Sequence, residues 1–201
     1  NRGIFLIIVG NSNGLENLQA GFGLKYLKYK KSQGFTIKVV LKEEIPFSGS
    51  ILSGDDDQTV SLIQDSVIKA NGVISVASNL VPAAISSLVS FALSNDNDLL
   101  SLQNNVSPLF KLVGVTTTES TELGNVIVKS RNPVPTKTLM RLFGMPAGPS
   151  RRPLGLVTHQ AMQFIIKQAK FVYENTNLFK PIEDFFDIDI QERLYSDKYI
   201  Q

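Results

Sequence analysis

The chain has 201 residues, of which 43% are hydrophobic and 19% are charged, and its net charge is +2. This composition is ordinary for a globular protein, and so weak a charge argues against nucleic acid as the main partner. The absence of cysteine excludes disulfides and thiol chemistry and fits a reducing compartment such as the cytoplasm. No apolar run reaches the roughly 18 residues that cross a bilayer, so we expect no membrane association.

Short apolar runs rich in β-branched residues predict buried strands. They lie at residues 3–9, 35–41, 50–52 and 72–76. After the third run, Val60, Ile63 and Val67 fall on one face of a predicted helix, and Asp57 is the expected residue to cap its beginning. Strands that alternate with helices indicate a parallel sheet covered by helices.

Helical periodicity predicts several longer helices. They cover residues 15–31, 81–93, 98–113, 135–143 and 158–174. Pro82 suits the first turn of its helix, whereas Pro108 is expected to bend or break the helix that contains it. Residues 116–125 show no clear period and are predicted to form a loop. The last helix has four apolar residues on its inward face: Met162, Ile165, Ile166 and Ala169.

Few side chains stand out as chemical candidates. Lys38 lies in a β-branched run, where its amine either points inward or reaches solvent at the strand end. Burial in a cavity lowers the pKa of an amine and frees a nucleophile. The run from Asp55 to Asp57 lacks the spacing of a calcium loop, so helix capping is favoured over a metal site. His159 is the only histidine, and a surface or capping role is favoured over zinc binding.

Several short motifs occur in order along the chain. Residues 52–56 read L-S-G-D-D, and residues 72–76 read G-V-I-S-V. Residues 132–137 read N-P-V-P-T-K and are followed by L-F-G-M and then by R-P-L. In this order, over residues 52–169, they resemble the motifs of the dihydrodipicolinate synthase family. The chain is therefore similar to the C-terminal portion of that family.

The resemblance implies an α/β fold, namely a partial or complete TIM-type (β/α)8 barrel with a C-terminal helical extension. Residues 1–130 are then expected to hold late strands and helices of the barrel, and residues 131–201 the extension. The family pattern also implies that Lys38 forms a Schiff base with pyruvate and that the Gly54 backbone lies beside the pyruvate carbons. It implies that the backbone carbonyl of Ile74 contacts the pyruvate-derived group, whereas the alternative for Ile74 is core packing.

The implied activity is that of a class I aldolase-type lyase that condenses pyruvate with aspartate semialdehyde in lysine biosynthesis. No metal or organic cofactor is expected, because the imine nitrogen acts as the electron sink. Close relatives of the family cleave N-acetylneuraminate or keto-sugar acids. The positions of the family's proton-relay tyrosine and carboxylate-binding arginine fall at Ile7 and Ser12, which supports a different alternative, a non-catalytic remnant or interaction module.

The resemblance also implies a homotetramer. Independently, the trailing helices carry more large apolar residues than a half barrel can cover, which predicts a dimer or larger assembly. These residues are Phe164, Ile165, Phe171, Phe179, Phe185 and Phe186.

Overall fold

The computed structural model describes residues 8–9, 52–66 and 68–199. The predicted helix at residues 15–31, the predicted strand at residues 35–41, Lys38 and Val67 lie outside the described residues. The chain divides into two compact units, one formed by residues 1–75 and 87–99 and the other by residues 76–86 and 100–201.

The first unit contains a parallel sheet of three short strands. They are β1 (Ile8–Val9), β2 (Leu52–Ser53) and β3 (Gly72–Val73), in the order β1-β2-β3. Leu52 pairs with Gly72, and Ser53 pairs with Val73. Gly72 lets the strands approach closely, because a Cβ atom there would lie 3.2 Å from Leu52 Cδ2. The predicted parallel arrangement is thus confirmed for the three strands within the described residues.

Helix α1 (Thr59–Gln64) follows β2 and forms part of the crossover to β3. Val60 and Ile63, predicted to share one face of this helix, are both buried. The predicted capping by Asp57 is wrong. The residue at the cap position is Gln58, which makes no side-chain capping bond. Residues 56–58 form a turn, so Asp57 lies one residue before the cap position and its side chain is exposed.

The predicted loop at residues 116–125 is wrong, because this segment is part of a β-hairpin. Strand β4 (Gly114–Thr121) pairs antiparallel with β5 (Gly124–Arg131). β-branched residues favour this extended backbone, and Gly124 closes the turn with a φ of +105°, which other residues rarely adopt. Only Val115 and Ser130, partners at the base of the hairpin, are buried.

The other helices are α2 (Pro82–Ser94), α3 (Leu99–Phe110), α4 (Val134–Leu142), α5 (His159–Asn175), α6 (Lys180–Phe186) and α7 (Ile190–Tyr195). Helices α2 to α5 agree closely with the predicted ranges, whereas α6 and α7 lie beyond the last predicted helix. Helix α3 continues through Pro108 and becomes a 3-10 turn at Lys111–Val113, so no break occurs at the proline itself. In the part of the chain that the structure describes, no helix has the length and apolar character needed to span a bilayer.

The core of the second unit forms around α5, which packs against α4, α7 and the hairpin strand β4. Ile165, Ile166 and Ala169 are buried on its inner face, as predicted, while Met162 is only partly buried. Phe143 and Phe179 lie edge to face in this core with ring centroids 4.9 Å apart. An aromatic pair in this geometry adds to the stabilisation from burial alone.

Candidate functional site

Two of the sequence-predicted site residues lie next to each other at one edge of the parallel sheet. Gly54 directly follows β2, and Ile74 directly follows β3. The Ile74 amide donates a hydrogen bond of 2.8 Å to the Ser53 carbonyl, so the pairing of the strands extends to this edge. In parallel α/β folds the carboxyl edge of the sheet is where ligands bind. This edge is therefore the candidate site.

Ile74 does not contribute its side chain to the core. Its side chain is 47% exposed, so the core-packing alternative for this residue is not supported. Gly54 is half-buried and offers only backbone atoms to a ligand. At this edge the two residues thus offer backbone N–H and C=O groups. These groups can hydrogen-bond a small carboxylic or keto acid.

The turn after β2 is held by two hydroxyl groups that sequence analysis did not identify. Ser53 Oγ donates to the Asp55 carbonyl at 2.9 Å, and Thr59 Oγ1 donates to the same carbonyl at 3.0 Å. The Asp55 amide in turn donates to Ser53 Oγ at 3.2 Å. The available signal was a serine and a threonine that flank the acidic run, since both residue types bond locally to the backbone.

The acidic run gives this edge a local negative charge. Partial burial, with the carboxylates of Asp57 and then Asp56, raises the pKa of Asp55 above its ordinary value. Asp56 is buried, whereas Asp57 is exposed. Within the described ranges, no three metal-ligating side chains of the His, Cys, Asp or Glu type converge.

The later motifs organise the second unit. In the N-P-V-P-T-K segment, Lys137 Nζ donates to the Pro149 carbonyl at 3.1 Å and so ties α4 to the loop that contains the R-P-L motif. Arg193 of α7 donates from Nη1 to the Leu142 carbonyl at the end of α4. His159 is exposed and contacts Gln163 through Nε2 at 2.9 Å, which agrees with the predicted surface role.

Comparisons with family models and with individual proteins agree on one family. A model of the dihydrodipicolinate synthetase family matches residues 27–171. The 4-hydroxy-tetrahydrodipicolinate synthases of Protochlamydia amoebophila and Methanothrix thermoacetophila are 37% and 34% identical to this chain over 106 residues. That stretch is 52% of this chain and 30% of each relative. The chain belongs to the dihydrodipicolinate synthetase family.

A solved structure agrees with this assignment. The 4-hydroxy-tetrahydrodipicolinate synthase from Methylacidiphilum fumariolicum SolV superposes with a TM-score of 0.53 at 29% identity, over 71% of this chain and 41% of that one. The chain spans about a third of the length of the curated relatives that it matches. The resemblance that the motifs indicated is thereby confirmed, including its restriction to part of the family's length.

Proposed function

We propose that this chain is part of a Schiff-base-forming lyase that condenses pyruvate with aspartate semialdehyde in lysine biosynthesis. The observation that carries the proposal is the adjacency of Gly54 and Ile74 at the carboxyl edge of paired parallel strands, in a member of this family. We infer a complete TIM-type (β/α)8 barrel for the whole enzyme. Residues 1–130 would contribute late strands and helices to it, and residues 131–201 a C-terminal extension. Helices alone form the regular structure of the described residues after Arg131, in support of this division.

In the proposed reaction Lys38 is the catalytic amine. Its nitrogen attacks the C2 carbonyl of pyruvate, water leaves, and an imine forms. Loss of a methyl proton gives an enamine, which attacks the aldehyde carbon. The amino group of the semialdehyde then attacks the imine carbon, which closes the ring and releases Lys38 as the free amine. Gly54 would face the pyruvate carbons with its backbone, and Ile74 would accept a hydrogen bond at its carbonyl. No metal or organic cofactor takes part, because the protonated imine accepts the electrons. We place the enzyme in the cytoplasm as a homotetramer.

Reduction with borohydride in the presence of pyruvate tests this mechanism. Hydride converts the imine to a stable secondary amine, and peptide mass analysis then identifies the labelled lysine. We expect the label on Lys38, and we expect Lys38→Arg to abolish it, since a guanidinium stays protonated and forms no imine. Lys42→Arg is the matched control and should label normally. A label on another lysine would show that Lys38 is the wrong candidate.

The competing hypothesis is a non-catalytic remnant or interaction module. It is favoured by Ile7 and Ser12, which stand where the family has its relay tyrosine and its carboxylate-binding arginine. Loss of a positioned general acid–base costs about 10²–10⁴-fold in rate, so even an imine-forming chain should turn over slowly. Complete absence of a pyruvate adduct would favour the remnant, whereas an adduct formed with slow condensation would favour the enzyme. Turnover of N-acetylneuraminate or a keto-sugar acid instead would identify the related lyase.

A further inference from the structure

Two buried residues with hydroxyl groups hold the backbone of the candidate site in place. Ser53 and Thr59 are each only 1% exposed. Their side chains converge on a single acceptor, the Asp55 carbonyl, at 2.9 and 3.0 Å. This arrangement joins the end of β2, the turn after it and the first residue of α1.

The hydrogen bonds close a ring around the residue that follows Gly54. Ser53 Oγ accepts from the Asp55 amide at 3.2 Å while it donates to the Asp55 carbonyl. The amide and the carbonyl of Asp55 are therefore both bound to the same hydroxyl. Thr59 adds a second donor from the helix side. The peptide unit that links Gly54 to Asp55 is thus restrained through its nitrogen.

Such a restraint matters because it acts on the peptide bond that directly follows Gly54. Glycine has no Cβ atom, so its backbone samples more conformations than that of any other residue. A site that uses the Gly54 backbone to meet a ligand needs that freedom removed by its neighbours. The hydroxyls of Ser53 and Thr59 are placed to remove it, and both lie below the surface at the edge.

We propose that Ser53 and Thr59 are positioning residues, which fix the Gly54 backbone so that pyruvate is held in the geometry that imine formation needs. This inference rests on the proposed function. Neither hydroxyl touches the substrate in this proposal. Ser53 acts through the amide and the carbonyl of Asp55, and Thr59 acts through the carbonyl alone. A misplacement of about 1 Å at a reacting centre costs up to 10²-fold, so loss of the restraint should weaken capture of pyruvate.

The test measures borohydride trapping at increasing pyruvate concentration in the full chain. Thr59→Val keeps the shape of the side chain and removes the hydroxyl. We expect it to raise the half-saturating pyruvate concentration roughly tenfold, as for the loss of a buried hydrogen bond, with the same labelling plateau. Thr59→Ser restores the hydroxyl and should return the curve to that of the unsubstituted chain.

Thr138→Val is the matched control. Thr138 Oγ1 donates at 2.9 Å to the Val134 carbonyl four residues earlier, the same sequence spacing as between Thr59 and Asp55. Its loss should lower stability slightly and leave the pyruvate curve unchanged. Where Thr59→Val fails to fold by circular dichroism, Ser53→Ala replaces it, because this variant removes the other donor to the same carbonyl.

The outcomes separate this inference from the function on which it rests. A labelled unsubstituted chain whose curve coincides with those of folded Thr59→Val and Ser53→Ala would overturn the positioning role and leave the lyase intact. Thermal destabilisation of both variants without a change in half-saturation would overturn it too, because a purely structural role predicts that result. An unsubstituted chain that takes up no pyruvate would overturn the proposed function and the positioning role together.

Discussion

The negative charge of the Asp55 carboxylate is unfavourable, because the group is partly buried and lies near two further acidic side chains. Its pKa is raised first by desolvation and then by Asp57 and Asp56. A carboxyl group with a raised folded-state pKa binds its proton more tightly in the native state than in the unfolded chain. The contribution of Asp55 to stability is therefore most favourable below its ordinary pKa of 3.8 and is lost as pH rises through its folded-state pKa.

We expect Asp55→Asn to remove this penalty without changing the backbone of the turn. The variant should have a higher melting temperature than the unsubstituted chain at pH 7, and the difference should vanish at about pH 3, where the carboxyl group is protonated. Thermal unfolding followed by circular dichroism at both pH values measures this. Glu122→Gln, an exposed carboxylate in the hairpin turn, is the control. An equal gain at both pH values would rule out the electrostatic explanation.

Gly144 is required for two separate reasons. Its φ of +75° lies in the left-handed region, and a Cβ atom would lie 3.1 Å from Arg193 Nη2. We expect Gly144→Ala to cost about 1–2 kcal/mol from backbone strain alone, and more if Arg193 must give up its hydrogen bond to Leu142. Urea denaturation measures the free energy of unfolding.

Two other glycines separate these contributions. Gly148 has a φ of +61° with open space around its Cβ position, so Gly148→Ala reports the strain alone. Gly155 has open space and no positive φ, so Gly155→Ala should be close to neutral. If Gly144→Ala and Gly148→Ala cost the same, the Arg193 contact contributes nothing measurable.

At the level of individual residues, sequence motifs predicted the neighbours at the sheet edge but not what holds them. Gly54 and Ile74 each follow a recognisable apolar run, so their meeting at one edge follows from parallel pairing. The roles of Ser53 and Thr59 depend on the direction of one carbonyl in a turn. Turn geometry of that kind is not encoded in hydrophobic periodicity, which is why the sequence indicated Asp57 as a cap instead.

Among the secondary-structure elements, the longer helices were predictable, whereas the hairpin and the two short helices after residue 175 were not. Helix α5 has a regular apolar stripe, and its burial follows from the period. Alternate residues of β4 face inward, but after buried Val115 these are the polar, half-buried Thr117 and Glu119, so the strand shows no alternation of apolar and polar residues. Inter-strand pairing and a buried base at Val115 hold the hairpin, and neither leaves a periodic signal.

Thr158 connects the hairpin to α5. Its hydroxyl accepts from the Ala161 amide at 3.2 Å as the N-cap of the helix, and it shares a hydrogen bond of 3.3 Å with Thr117 of β4. Thr117 donates in turn to Glu119, and the hydrogen bonds from Thr117 and Thr158 lower the pKa of that carboxyl. One side chain therefore serves two elements.

We expect Thr158→Ala to destabilise the protein by about 1 kcal/mol, as is typical for the loss of an N-cap. Thr158→Ser keeps the hydroxyl and should retain most of the stability. Chemical denaturation of both variants gives the comparison. Thr121→Ala is the control, since that hydroxyl bonds only within the hairpin turn. Equal losses for Thr158→Ala and Thr158→Ser would show that packing of the methyl group, not the cap, is responsible.

For the whole molecule, the large apolar residues of the trailing helices, which predicted association, fall into a buried group and an exposed group. Ile165 and Phe179 are buried, whereas Phe171 is half-exposed and Phe185 is 80% exposed, with Phe186 edge to face beside it. The exposed residues still predict an interface, whereas the buried ones belong to the core of the second unit. Periodicity alone could not make this division, because it depends on which helices pack together.

We expect the chain to be a dimer or larger at micromolar concentration, and we expect Phe185→Ser to shift it toward the monomer, because the substitution removes an exposed aromatic anchor. Light scattering coupled to size exclusion measures both. Leu123→Ser is the control, since Leu123 is 98% exposed at an isolated turn. A monodisperse monomer for the unsubstituted chain would contradict the prediction.

The hairpin turn at Glu122 and Leu123 has a practical consequence. Its side chains are exposed, and the hydrogen bonds of the turn stay within residues 121–124. Chain tips of this kind accept inserted peptides and attached dyes with little loss of stability. An epitope or a fluorophore introduced between Glu122 and Leu123 would therefore report on this protein while the carboxyl edge of β2 and β3 keeps its native sequence.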